Sequence, residues 1–184
     1  IVFVCGMLLW VARSGRVHPF LVSVNSYTGQ WQLVGHDHGQ KTLAATRALQ
    51  EAAIVHFVQN WFSISANSAQ NESLWLTCDR TKECAIYCAT GEDIFSRFIY
   101  DIVPDYQLRA ANGEKWVVDA DTIDISPFGS IGEDGGTWRI NVSVRSNVSA
   151  PINIIAFAKA ARNIKSYPQY MGFYIADFNA YKIS

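Results

Sequence analysis

The stretch TWRINVSVRS, residues 137–146, alternates without a break. Trp138, Ile140, Val142 and Val144 fall on one side of an extended chain, and Arg139, Asn141, Ser143 and Arg145 on the other. That period of two is the pattern of a strand with one face buried and one in water. Such a strand needs neighbours, and the flanking sequence supplies them: KWVVDADTIDIS (115–126) before it, INIIAFAKA (152–160) after it, and GFYIADFNAYKIS (172–184) at the end. Gly-rich turns such as IGEDGG (131–136) join these runs. The pattern predicts an antiparallel sheet in the C-terminal half.

Upstream the period changes. KTLAATRALQEAAIVHFVQNWFSI (41–64) carries Ala45, Leu49, Ala53, Phe57, Trp61 and Ile64 at helical spacing, with no Gly or Pro inside it. SANSAQNESLWL (65–76) begins a second helix, with Ser65 or Asn67 as its cap and Leu74 and Trp75 in its body. A third is EDIFSRFIYDI (92–102), whose Ile94, Phe95, Phe98 and Ile102 share a face and which Pro104 is expected to stop. Helices first and strands afterwards define an α+β class, with helices packed on one face of an antiparallel sheet. A strongly curved sheet around the long helix is the natural way to bury it. Before the helices, residues 17–34 read as strand, turn and strand, with SYTGQ (26–30) as the turn.

The 184 residues are 49% hydrophobic, enough for one well-filled core plus a terminal appendage. A net charge of −1, with Lys and Arg scattered singly, leaves no basic stripe to neutralise phosphates, so direct nucleic-acid binding is not expected. The appendage is IVFVCGMLLWVA (1–12), uncharged and ended by Arg13 and Arg16. A membrane span needs about 20 apolar residues, so this run reads as the back half of a span, a signal-peptide core or a buried helix. The first reading is preferred, because no small-residue cleavage site follows and the chain starts at Ile1 rather than Met. Residues 1–16 are then the end of a transmembrane anchor and 17–184 a globular domain.

Cys78, Cys84 and Cys88 lie in CDRTKECAIYC. Their spacing suits one local disulfide with a spare thiol, free thiols, or a metal site short of a ligand; a disulfide is favoured because zinc prefers a C-x-x-C pair. A disulfide would place the domain in an oxidising compartment.

Several segments together resemble one family. HPFLVSVNSYTGQWQLV (18–34), HFVQNWFSISANSAQNESLW (56–75), TWRINVSV (137–144) and YPQYMGFYIADFNAYKI (167–183) resemble, in that order, four features of the inner-membrane bridge subunits of type IV secretion and conjugation systems, the VirB-eight and TrbF family. These are the strand pair after the membrane span, the helix with its Trp-containing successor, the central strand, and the Asn-Pro-x-Gly-aromatic signature with its terminal strand. Tyr167 stands where the family tends to have Asn, and three residues rather than one separate Pro168 from Gly172. The resemblance implies a single-pass bacterial inner-membrane protein with a periplasmic domain of the nuclear-transport-factor-2-like fold. It also implies a non-enzymatic subunit without cofactors that associates with itself and with other secretion subunits.

Candidate sites are few. His36, Asp37 and His38 sit between Gly35 and Gly39, and a solvated turn outweighs a metal pair there. Asp119, Asp121 and Asp124 lack the Gly and distal Glu of a calcium loop and read as a charged strand edge. His56 on the long helix, paired with Asp101 or Asp105, is the one arrangement that would give a membrane-tethered enzyme or ligand-binding domain of the same fold. Tyr167, Pro168, Tyr170, Met171, Gly172 and Phe173 crowd aromatic and apolar groups around one turn, as a partner interface does and as a sheet corner does.

Overall fold

The computed structural model describes residues 21–24, 31–34, 40–75, 85–163 and 172–183. Contacts divide the chain into two units, residues 1–45 and 46–184. The first holds a hairpin of β1 (Leu21–Val24) and β2 (Trp31–Val34), paired antiparallel from Leu21 opposite Val34 to Val24 opposite Trp31. Residues 1–16, read above as the end of an anchor, lie outside the described residues, as do His36, Asp37 and His38. Among the described residues no helix is long and apolar enough to cross a membrane.

The second unit is α+β. After α1 (Gln40–Trp61), which begins in the first unit, come α2 (Ser68–Trp75), α3 (Ala85–Ala89), α4 (Glu92–Arg97) and α5 (Val103–Ala111). The strands follow: β3 (Trp116–Val118), β4 (Asp124–Pro127), β5 (Gly135–Ser146), β6 (Ile152–Arg162) and β7 (Phe173–Ile183). They form one antiparallel sheet in the order β3-β5-β6-β7, with β4 also paired to β5.

The core follows from the alternation of β5. Trp138, Ile140, Val142 and Val144 are all buried on the helical side. Across from them β6 turns Ile154, Ala156, Ala158 and Ala160 inward, so the middle of the sheet is floored by small side chains. Small residues there make room for large ones above. The row Trp138, Ala158, Phe178 runs across three strands, and Phe178 meets Phe57 at 4.8 Å and Trp61 at 4.9 Å between ring centroids. Burying each such ring or branched chain contributes about 1.5–3 kcal/mol.

α1 buries Ala53, Phe57 and Trp61 as its spacing predicts, together with Ile54 and Val58. It also buries Gln50, whose amide is engaged at both ends: its Nε2 donates to the Gly132 carbonyl at 2.9 Å and its Oε1 accepts from Trp138 Nε1 at 3.1 Å. The helix ends at Trp61. Ile64 therefore leaves the helical face assigned to it and makes a strand-like bridge with Trp116, with backbone bonds of 3.1 and 2.9 Å. Asn67 caps α2, accepting the Ala69 N–H at 3.0 Å.

Two expectations need correction. Pro104 does not stop the third helix. Residues Phe98–Ile102 widen into a π-helical turn, in which the Val103 N–H reaches the Phe98 carbonyl five residues back, and Pro104 then sits in the first turn of α5. The π-turn has shifted the bonding by one residue just before the proline, and the first turn of a helical segment tolerates its fixed φ and missing N–H. The run 115–126 is two short strands, not one. Between them Ala120–Thr122 form a 3-10 turn, closed by the Asp119 carbonyl accepting the Thr122 N–H at 3.0 Å and its hydroxyl at 2.7 Å. Short polar side chains competing for nearby backbone favour such a turn over a ladder.

Candidate functional site

A groove of about 870 Å³ opens at one end of the second unit. Its buried lining includes Trp61 at the end of α1 and Phe62 just after it, Tyr106 from α5, Trp116 from β3, Ile154 from β6 and Phe178 from β7. Arg97, Asp101 and Ile102 form the helical wall, residues 148–152 a second wall, and Asn179–Lys182 the strand wall. Val148 and Tyr181, each about 60% exposed, stand apolar at the rim.

One end of the groove is built around Glu114. Its Oε1 accepts from Trp116 Nε1 at 2.6 Å and from the Ser146 hydroxyl at 3.1 Å, and its Oε2 from Arg109 Nη1 at 3.2 Å. Arg109 also donates through Nε to Asp105 at 2.7 Å and lies 5.0 Å from the Trp116 ring centroid. The Trp116 bond, then those of Ser146 and Arg109, hold the Glu114 carboxyl below its ordinary value against the opposing effect of burial. Burial pushes the neighbouring Tyr106 hydroxyl strongly up. A carboxylate so fully occupied is an acceptor that fixes the corner between α5 and β3; a general base would instead be tuned upward, toward the working pH.

The linkage is testable. Because the folded pKa lies below the ordinary value of 4.5, the Glu114 contribution is fully present above that value and is lost as pH falls through the lowered one. Glu114→Gln should cost about 1.5–3 kcal/mol at pH 7, and the gap to the wild type should narrow in urea titrations as the pH falls below 4.5 and through the lowered value. A gap independent of pH would refute the role of the ionised carboxylate.

The residues singled out from sequence are dispersed. His56 is exposed on α1, with Nδ1 at 3.0 Å from Asn60 Nδ2, and is not among the groove residues; partial burial holds its imidazole below the ordinary value. Asp101 lines the groove, whereas Asp105 is engaged by Arg109. Asp119 pairs with Arg145 at 3.3 Å and Asp124 accepts from Asn141 at 3.1 Å. Cys88 is half-buried on α3, while Cys78 and Cys84 lie outside the described residues. So do Tyr167, Pro168, Tyr170 and Met171; Gly172 and Phe173 are buried at the start of β7. The Glu114 cluster was not singled out from sequence, and the one available signal was a lone Glu between a helix and a Trp-containing strand.

The family model for the VirB8 protein matches residues 1–80. Over that stretch, less than half of its length, the chain is similar to the VirB8 protein. The match suggests an assembly subunit of a type IV secretion system, of a family that is a structural component and typically membrane-associated. It spans the hairpin, α1 and α2, and so includes Trp61 and Phe62 of the groove, while the remaining groove residues lie beyond it. No curated protein matches the chain.

Proposed function

We propose that the chain is a non-enzymatic structural and assembly subunit of a type IV secretion or conjugation apparatus. Residues 1–16 anchor it in the bacterial inner membrane, and residues 17–184 form a periplasmic domain of the nuclear-transport-factor-2-like fold. It associates with itself and with other channel components, and the segment from Tyr167 to Phe173 is one contact surface. The observation that carries this reading is the VirB8 match over residues 1–80; the antiparallel α+β architecture agrees with the fold.

The test is co-purification. Tagged full-length protein, extracted gently from membranes, is expected to retain other secretion-channel components in fixed proportion, and His56→Ala is expected to leave both recovery and transport unchanged. Recovery of the protein alone would overturn the assembly reading. Loss of transport in His56→Ala with unchanged recovery would point instead to chemistry at that helix.

A further inference from the structure

β7 is the last strand of the sheet, and half of its outer edge is covered. The Thr137 carbonyl accepts the Phe128 N–H at 2.8 Å on the β4 side, which directs odd-numbered residues of β5 toward β4 and even-numbered ones toward β6. Carried through the pairs Ile140 with Ala156 and Ile155 with Tyr181, the alternation bonds Asn179 and Tyr181 to β6. The backbones of Phe178, Ala180 and Lys182 then face outward. Two outward carbonyls are already occupied: Ile175 accepts the Gly91 N–H at 3.0 Å, and Phe178 accepts from the Arg97 guanidinium. Beyond Phe178 the cover stops. Ala180 and Lys182 are exposed, both line the groove, and among the described residues no strand pairs with this edge.

Bare edges are normally blocked, because their free N–H and C=O groups recruit another strand. This one is bracketed by two cations. Arg97 bonds a neutral carbonyl, so its charge is not neutralised there, and among the described residues neither Arg97 nor Lys182 is in an ion pair. Phe178, where Arg97 is held, and Lys182 are four residues apart, about 13 Å along a strand. Between them the groove floor is apolar, with Trp61 and Phe178.

We propose that this edge is a strand-addition site for an extended peptide with acidic residues four positions apart and an apolar residue midway. The two acids answer Arg97 and Lys182, the apolar side chain rests on the groove floor, and the central residue exchanges both backbone hydrogen bonds with Ala180. This is recognition by β-augmentation, in which main-chain bonds supply affinity and alternate side chains supply selectivity. The inference goes beyond the assembly reading and does not depend on which apparatus the chain serves.

The probe is a fluorescein-labelled peptide, Thr-Glu-Thr-Phe-Thr-Glu-Thr, titrated by fluorescence anisotropy against the full chain in detergent. Binding is expected, weakened by salt, and weakened at least about tenfold when both Glu are replaced by Lys. N-methylation of the central Phe amide removes a bonded donor and should weaken binding roughly tenfold, whereas methylating the next Thr amide, which points away, should change it less than about twofold. The protein is unaltered in these comparisons, so misfolding cannot imitate the result. Absence of binding, equal binding of the Lys peptide, or equal loss from the two methylations would each overturn the proposal.

Discussion

Truncating Trp138 to alanine is expected to lower the unfolding free energy by about 4–8 kcal/mol. Removing a fully buried indole costs about 3–5 kcal/mol in lost transfer energy and residual cavity. The cavity cannot close readily, because the neighbouring strand residue is already Ala158 and the sheet backbone is held in register on both sides. The lost Nε1–H also strips Gln50 Oε1 of its donor in a position that is fully buried, worth about a further 1–3 kcal/mol if nothing replaces it. Arg47, whose guanidinium lies 5.7 Å from the Trp138 ring centroid, loses its platform as well. Set against the roughly 5–15 kcal/mol of a typical domain, little is left. Urea unfolding followed by far-UV circular dichroism measures it, with Trp138→Phe expected to recover about half the loss. A Trp138→Ala cost under about 2 kcal/mol would mean that the sheet and α1 are not locked through this side chain.

That lock illustrates what could be read from the sequence and what could not. The alternation through Trp138, Ile140, Val142 and Val144 was legible because a strand buried on one face has no freedom in its period. The helical face of Ala53, Phe57 and Trp61 was legible for the same reason. Gln50 was not, since a glutamine on an apolar stripe is informative only when its partners are known, and these come from residues 82 and 88 positions away. The Glu114 cluster is likewise assembled from α5, β3 and β5, with no local spacing to announce it. Pro104 misled because a proline ends a helix only if the helix cannot reorganise, and the π-helical turn before it supplies that reorganisation. The open edge of β7 depends on how far α3 and α4 reach along the sheet, which is a matter of packing and not of pattern.

Gly135→Ala is expected to be nearly as damaging as the loss of Trp138, at about 3–5 kcal/mol, although it adds one carbon. Gly135 opens β5 at φ 139°, a conformation that L residues avoid. An added Cβ would overlap the Ala160 carbonyl oxygen and lie 3.0 Å from both the Ala160 carbonyl carbon and the Ala161 Cα, all backbone atoms of the paired strand. Strain of this kind costs about 1–3 kcal/mol, and forced overpacking about as much again. The strand cannot shift away cheaply, because the same corner holds the turn in which Gly132 N–H donates to the Gly135 carbonyl at 2.9 Å, and the Gly132 carbonyl in turn accepts Gln50. Gly136 provides the internal comparison. There the first clash is with the Cδ1 of Ile131, the far end of a side chain that can rotate, so Gly136→Ala should cost only about 1–2 kcal/mol. Thermal and urea unfolding of the two variants side by side decides the matter: a ranking with Gly135 clearly the more damaging ties the β5–β6 corner to backbone contact, and equal costs would show that this corner yields and that close approach at Ala160 does not hold the sheet to α1.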